Sequence, residues 1–194
     1  ADSWSVDGHK WLQTPFDSGY AIVRDRGALE AAMGIDASYL PAHSSDDRIP
    51  SVLVPELSRR ARGIPTWAML KTLGRKGVEE MVDRHCRVAR RIARRLDDAD
   101  GISVINDVVL NQIVVSFGLA DASPSCRRAL TDCVINRLRD SGLMFVSGGE
   151  WRDEWVMRIS VICDATTDND GDVVADLILS TWSDVHAQAT AGVS

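Results

Sequence analysis

Apolar positions along the chain change period twice, and the changes divide it. Near the start, residues 2–6 alternate, as a short strand does, and residues 19–24 form a continuous apolar run of strand length, which predicts a buried strand. Residues 26–33 read as a short helix that Gly34 ends in the usual C-terminal position. Residues 35–62 hold Pro41, Pro50 and Pro55 and show no period, which predicts a long loop of the functional or mobile kind. Helical spacing then takes over. Pro65 suits a first helical turn, and Gly74 and Gly77 mark a break. From there Val78, Met81, Val82, His85, Ala89, Ile92, Ala93 and Leu96 recur at steps of three and four, one apolar stripe on a helix.

Past Gly101 strands and helices alternate. Residues 102–105 and 112–118 read as strands, and 124–141 as an amphipathic helix with Leu130, Val134 and Leu138 on one side. Residues 143–147 and 155–163 read as two more strands, turning at Gly148-Gly149. Thr167 and Asp170 form a capping box for a last helix with the stripe Val173, Val174, Leu177, Ile178, Thr181, Trp182 and Val185. The expectation is an α/β chain. Residues 1–70 end one domain, and 71–194 form a small α/β domain whose helices cover one face of a mainly antiparallel sheet.

Composition narrows the class. With 45% apolar residues the 194-residue chain can bury a real core. Twenty-two basic residues against 28 acidic ones give a net charge of −6, which argues against a nucleic-acid or anionic-membrane partner. No apolar run reaches the ~18 residues that span a bilayer, and the first ten residues lack the apolar centre of a signal peptide. Cys86, Cys126, Cys133 and Cys163 show no C-x-x-C spacing and read as small buried hydrophobes in a reducing cytoplasm. The four histidines make no metal-ligand pattern. Arg84, Arg87, Arg90, Arg91, Arg94 and Arg95 give one helix a basic face. Such a face can bind RNA or acidic partners, but the negative net charge favours a solvated face with Asp and Glu neighbours.

Two places carry candidate chemistry. Lys10 follows Gly8-His9 and lies between two strand-like runs. A glycine there lets the backbone turn sharply, and a partly desolvated lysine loses its proton and attacks carbonyls. A bare His-Lys pair is weak, because most lysines are solvated surface charges. In the strand near residue 158, Val156, Arg158 and Ser160 share one face, opposite Trp155, Met157, Ile159 and Val161. A lone arginine in such a strand needs a partner, either a ligand carboxylate or an acidic neighbour such as Asp153, Glu154 or Asp164.

The segment Ala1-Asp2-Ser3-Trp4-Ser5-Val6-Asp7-Gly8-His9-Lys10-Trp11-Leu12, with Phe16-Asp17-Ser18-Gly19 after it, resembles the cofactor-lysine segment of the group II pyridoxal-phosphate-dependent decarboxylases, which act on aromatic amino acids, histidine or glutamate. The resemblance continues through Ser58-Arg59-Arg60-Ala61-Arg62 to Trp67, and through Trp155–Ser160. It implies a fold-type I architecture, with the end of the large domain followed by the C-terminal small domain. It implies that Lys10 holds pyridoxal 5′-phosphate as the internal aldimine, that Asp7 and His9 lie beside the cofactor, and that Arg158 faces the substrate carboxylate. Many members carry asparagine where this chain has Asp7. Arg59, Arg60 and Arg62 match a segment near the active-site entrance, or else form a surface cluster. The loop at 42–54 has no tyrosine, although aromatic-amino-acid decarboxylases use one there to protonate the carbanion; His43 is its only aromatic ionisable group.

The resemblance further implies a cytoplasmic homodimer with an amino-acid substrate. It places the phosphate loop, the ring-stacking aromatic and the aspartate for the ring nitrogen upstream of Lys10, so the chain by itself is expected to be incompetent. Other fold-type I chemistry, such as an aminotransferase or aldehyde-releasing lyase, and a non-catalytic small domain stand as alternatives.

Overall fold

The computed structural model describes residues 1–35 and 49–191, which fall into two compact units, 1–75 and 76–194. The reading of His43, and of the loop up to residue 48, lies outside the described residues.

In the first unit, strands β1 (Ser3–Asp7) and β2 (Gly19–Val23) pair antiparallel, with Trp4 opposite Ile22 and Asp7 opposite Gly19. A one-turn helix α1 (Gly8–Trp11) lies between them in sequence. The expectation that β2 is buried fails, since its Ile22 is 60% exposed. Among the described residues β2 pairs only with β1, and a two-stranded ribbon has too few neighbours to cover its own faces. Helix α2 (Arg26–Met33) begins at Asp25, whose carboxylate accepts from the Ala28 amide. It ends at Gly34 as expected, but with a different geometry. Gly34 is extended at φ −63°, and the constraint is space, because a Cβ there would lie 2.6 Å from the Glu30 carbonyl oxygen. A 3₁₀ turn follows at Pro50–Leu53. Helix α3 (Gly63–Asp97) breaks at Gly74, whose φ of 63° and ψ of −178° suit glycine, while Gly77 stays helical.

The second unit holds a four-stranded antiparallel sheet in the order β3-β4-β6-β5, from Ile102–Val104, Gln112–Phe117, Ser147–Trp151 (β5) and Glu154–Ser160 (β6). One sheet face carries Ile102, Ile113, Val115, Phe117, Met157 and Ile159. These pack with Val88, Ile92 and Leu96 of α3, Val134, Ile135 and Leu138 of α4 (Pro124–Asp140), and Ile178, Trp182 and Val185 of α5 (Asp168–Ala191). Each such side chain contributes about 1.5–3 kcal/mol on leaving water.

Three details differ from the sequence pattern. The β5–β6 hairpin turns at Arg152-Asp153, both at positive φ (49° and 66°), and not at Gly148-Gly149. Gly148 instead sits in β5, because a Cβ there would come 2.6 Å from the Trp155 indole. Residues 143–146, read as strand, precede β5 without joining the sheet. On α5 the buried line runs through Gly171, Ala175, Ile178, Trp182 and Val185, and Val173 faces outward. Gly171 permits this rotation, since a Cβ there would lie 2.9 Å from Val88. The Thr167–Asp170 capping box is present: the Thr167 amide donates to Asp170 Oδ2 (2.8 Å), and the Asp170 amide donates to Thr167 Oγ1 (3.3 Å).

All four cysteines are free, but only Cys86 is buried; Cys126 and Cys163 are exposed and Cys133 is half-buried. Cys163 lies three residues past the end of β6, where its carbonyl oxygen is 2.9 Å from Nε2 of His85 on α3 while its thiol faces solvent.

Candidate active site

Lys10 sits on α1, directly after the β1 strand. Asp7 is the N-cap of this helix by position, yet its side chain caps nothing. The Asp7 carboxylate is instead paired with Lys10 Nζ at 2.5 Å. The ammonium's hydrogen bond, and then its charge, hold the Asp7 carboxyl below the usual carboxylate range. The Lys10 side chain is 58% exposed, which corrects the expected partial desolvation; a single helical turn beside a two-stranded ribbon offers little cover.

The backbone around it is tightly held. Gly8 N–H donates to the Ser18 carbonyl (2.9 Å), and the Gly8 carbonyl accepts from Leu12 N–H (3.0 Å). Gly8 must lack a side chain, because a Cβ would lie 2.5 Å from Thr14 Oγ1 and 2.6 Å from the Tyr20 ring. Gln13, at φ 54°, reverses the chain after α1. His9 stacks on Phe16 with ring centroids 4.4 Å apart. Three buried polar atoms of this turn, His9 Nδ1, Thr14 Oγ1 and Ser18 Oγ, have no hydrogen-bond partner among the described residues.

The turn is joined to distant sequence. Asp17 accepts from Arg62 Nε (3.1 Å) and lies 3.7 Å from Arg60, and Arg62 also donates to Glu56 (3.1 Å). These two carboxylates, Glu56 first, push the Arg62 guanidinium further up in pKa. Tyr20 OH and Thr66 Oγ1 are 2.8 Å apart. Sequence reasoning pointed at Arg62 through the arginine-rich segment and missed Tyr20 and Thr66. The one available signal was a phenol inside the otherwise aliphatic run 19–23.

Arg158 lies in the second unit, mid-way along β6, opposite Val114 of β4 and Ser147 of β5. It is on the sheet face away from the helix-covered core, as the alternation predicts, and its side chain is exposed beside buried Val114 and Val156. The acidic neighbour Asp164 is taken by Arg84 at 2.9 Å, and no ion pair to Arg158 forms among the described residues. The basic face of α3 has acidic neighbours. Arg87 pairs with Asp168, Arg91 with Asp172, and Arg95 with Asp172 and Asp176. No group of His, Cys, Asp and Glu suited to a metal ion occurs among the described residues, and no helix there is long and apolar enough to cross a membrane.

A model of the pyridoxal-dependent decarboxylase conserved domain matches residues 1–119, the part that holds the Lys10 turn. The chain belongs to the pyridoxal-dependent decarboxylase family. Among this family's curated members, it is 25% identical over 176 residues to the aromatic-L-amino-acid decarboxylase of Rattus norvegicus, covering 87% of this chain and 34% of that protein. To the L-aspartate decarboxylase of Thermococcus kodakarensis it is 31% identical over 116 residues, covering 60% and 28%. The fold is that of the Oryza sativa TDC solved with PLP and tryptamine, with a TM-score of 0.85 at 21% identity over 95% of this chain and 39% of that one. The Catharanthus roseus tryptophan decarboxylase in complex with L-tryptophan gives 0.81 at 17%, again over 95% and 39%. The chain thus spans roughly a third of the length of these relatives.

The described residues fit the aldehyde end of pyridoxal phosphate. They offer a reachable primary amine, a carboxylate whose charge that amine neutralises, and unpartnered buried polar atoms in the same turn.

Proposed function

We propose that this chain is the cofactor-lysine and C-terminal portion of a pyridoxal-phosphate-dependent amino-acid decarboxylase, a carboxy-lyase, with Lys10 as the residue that bonds the cofactor. One observation carries this reading: an accessible amine on a clamped one-turn helix, inside the segment that matches the family. When bound, the cofactor supplies an electron sink for the pair of electrons left as carbon dioxide departs. Lys10 Nζ is the amine that would hold the cofactor through its aldehyde carbon. Asp7 keeps the Lys10 ammonium in place before loading. His9, braced on Phe16, borders the cofactor. Arg158 takes the substrate carboxylate through two parallel N–H donors, a role supported by its exposed position on β6 and by the absence of an ion pair to it among the described residues.

The working assembly is a cytoplasmic homodimer. Four free cysteines support a reducing compartment. Exposed Leu143, Phe145 and Trp151 support association with another protein surface.

Borohydride reduction of the chain mixed with pyridoxal phosphate, followed by peptide mapping, tests the site. The sequence has two other lysines, Lys71 and Lys76, which serve as internal controls. Label concentrated on Lys10 and lost in Lys10→Arg supports the reading. Label spread evenly over the three lysines overturns it. For the longer protein, release of carbon dioxide with an amine product supports decarboxylation, and keto-acid or aldehyde formation replaces it with other fold-type I chemistry.

A further inference from the structure

We infer that Arg62, Tyr20 and Thr66 are positioning residues for Lys10, holding the lysine turn through two tethers to residues 62–66 at the start of α3. This rests on the assignment of Lys10 above and goes beyond it by naming what fixes the amine in space.

The turn from Gly8 to Ser18 has few means of its own to stay in place. Its helix is one turn long, its N-cap side chain is occupied by Lys10, and its rings at residues 9 and 16 stack on each other at the surface. An isolated turn of this length is unstable in water. Two contacts to residues about 45 positions away compensate.

The first tether is ionic. Arg62 Nε donates to Asp17, and the next residue, Ser18, accepts the Gly8 amide proton through its carbonyl. The Arg62 guanidinium is in turn fixed by Glu56, so it acts from a set position. The second tether is steric and hydrogen-bonded. The Tyr20 phenol packs against the bare Cα of Gly8, two residues before Lys10. Its hydroxyl meets Thr66 Oγ1 at 2.8 Å, and that oxygen donates on to the Arg62 carbonyl at 3.3 Å. The phenol therefore donates to Thr66. The two tethers reach Gly8 from different sides: one fixes its amide, the other blocks its Cα. Both end within residues 62–66. Side-chain freedom at Lys10 remains, while the backbone that aims it does not drift. Catalytic groups that work by orientation require that division, since small misplacements cost rate steeply.

The experiment uses the chain of residues 1–194 with Arg62→Gln, Thr66→Val, Thr66→Ser and the double variant Arg62→Gln/Thr66→Val. Two quantities are read. One is amide hydrogen exchange at Gly8, with amides of the β3–β6 sheet as reference. The other is the share of borohydride-fixed pyridoxal phosphate found on Lys10 relative to Lys71 and Lys76. The tethers predict Gly8 exchange about tenfold faster in each single loss variant and faster again in the double, with the sheet unchanged. The Lys10 share falls toward that of the control lysines in step, and Thr66→Ser, which keeps the hydroxyl, restores both. Unchanged Gly8 exchange in the double variant overturns the tethers even where wild-type Lys10 labels selectively. Faster exchange with an unchanged Lys10 share overturns the positioning role. Absence of Lys10 preference in the wild-type chain instead overturns the assignment of Lys10, and this inference with it.

Discussion

Residues 76–194 close a core of their own, whereas residues 1–75 turn large apolar side chains outward. In the second unit Val88, Leu96, Phe117, Leu138, Met157 and Ile178 are all sealed from water. In the first, Trp4, Phe16, Ile22, Ile64 and Trp67 are exposed, and the buried residues among those described are Gly8, Thr14 and Ser18. The unit without an apolar core is the one that carries the candidate lysine. It holds its shape with ion pairs, a phenol–threonine contact and a crowded glycine. A glycine-tight, polar-clamped turn positions an amine without burying it. A sheet packed against three helices supplies stability, and its opposite face presents an exposed Arg158 beside buried Val114 and Val156.

Truncation of the core should separate the two units most sharply. Met157→Ala is expected to destabilise the second unit by about 2–5 kcal/mol. Ile22→Ala, at an exposed site, should shift unfolding by no more than about 0.5 kcal/mol. Urea titration followed by tryptophan fluorescence compares them, and equal costs would erase the contrast.

Crowding gives the next largest effect. Gly148→Val forces a side chain into the Trp155 indole and should cost about 1–3 kcal/mol. Gly149→Ala next to it has open space and should be close to neutral. If both variants melt alike, the two glycines are present for a turn and not for close approach.

The units should also differ in their response to pH. In the second, burial lowers the pKa of His85, whose Nε2 is 2.9 Å from the Cys163 carbonyl oxygen. The unfolded chain therefore takes up this proton first as pH falls below about 6.5, so stability drops over that range and is level above it. His85→Gln should flatten this limb of a melting-temperature profile. In the first unit the Lys10 contact lowers the Asp7 pKa, which keeps the carboxylate charged to lower pH. Lys10→Ala should move the Asp7 titration, followed by carboxyl NMR, up toward the ordinary value.

The smallest effect belongs to the Arg91–Asp172 pair on the α3–α5 surface. A double-mutant cycle should return a small coupling that shrinks further in 1 M salt, because both groups remain in water.

Local rules read well wherever one element's own pattern decided its burial. The stripe on α3 from Met81 to Leu96, the Pro124 start of α4, the Thr167–Asp170 box and the two faces of β6 all follow from spacing. They failed where a partner from elsewhere chose. The Gly148-Gly149 pair looks like a turn until Trp155 lies across it, and the buried line of α5 is rotated because Gly171 lets Val88 approach. The β2 run looks like an interior strand, yet among the described residues it has one neighbour.

By itself the sequence singled out Lys10 as the candidate amine, since a long contiguous motif surrounds it and neighbouring residues stay neighbours in any fold. It also determined the α/β order and the face on which Arg158 stands, because alternation along a strand is a property of the backbone. Only the tertiary structure decided that Lys10 is exposed and paired with Asp7, and that Asp17 meets Arg62 and Tyr20 meets Thr66. Those contacts join residues up to 46 positions apart, and the geometry that joins them is set by which surfaces pack, a choice no local period encodes.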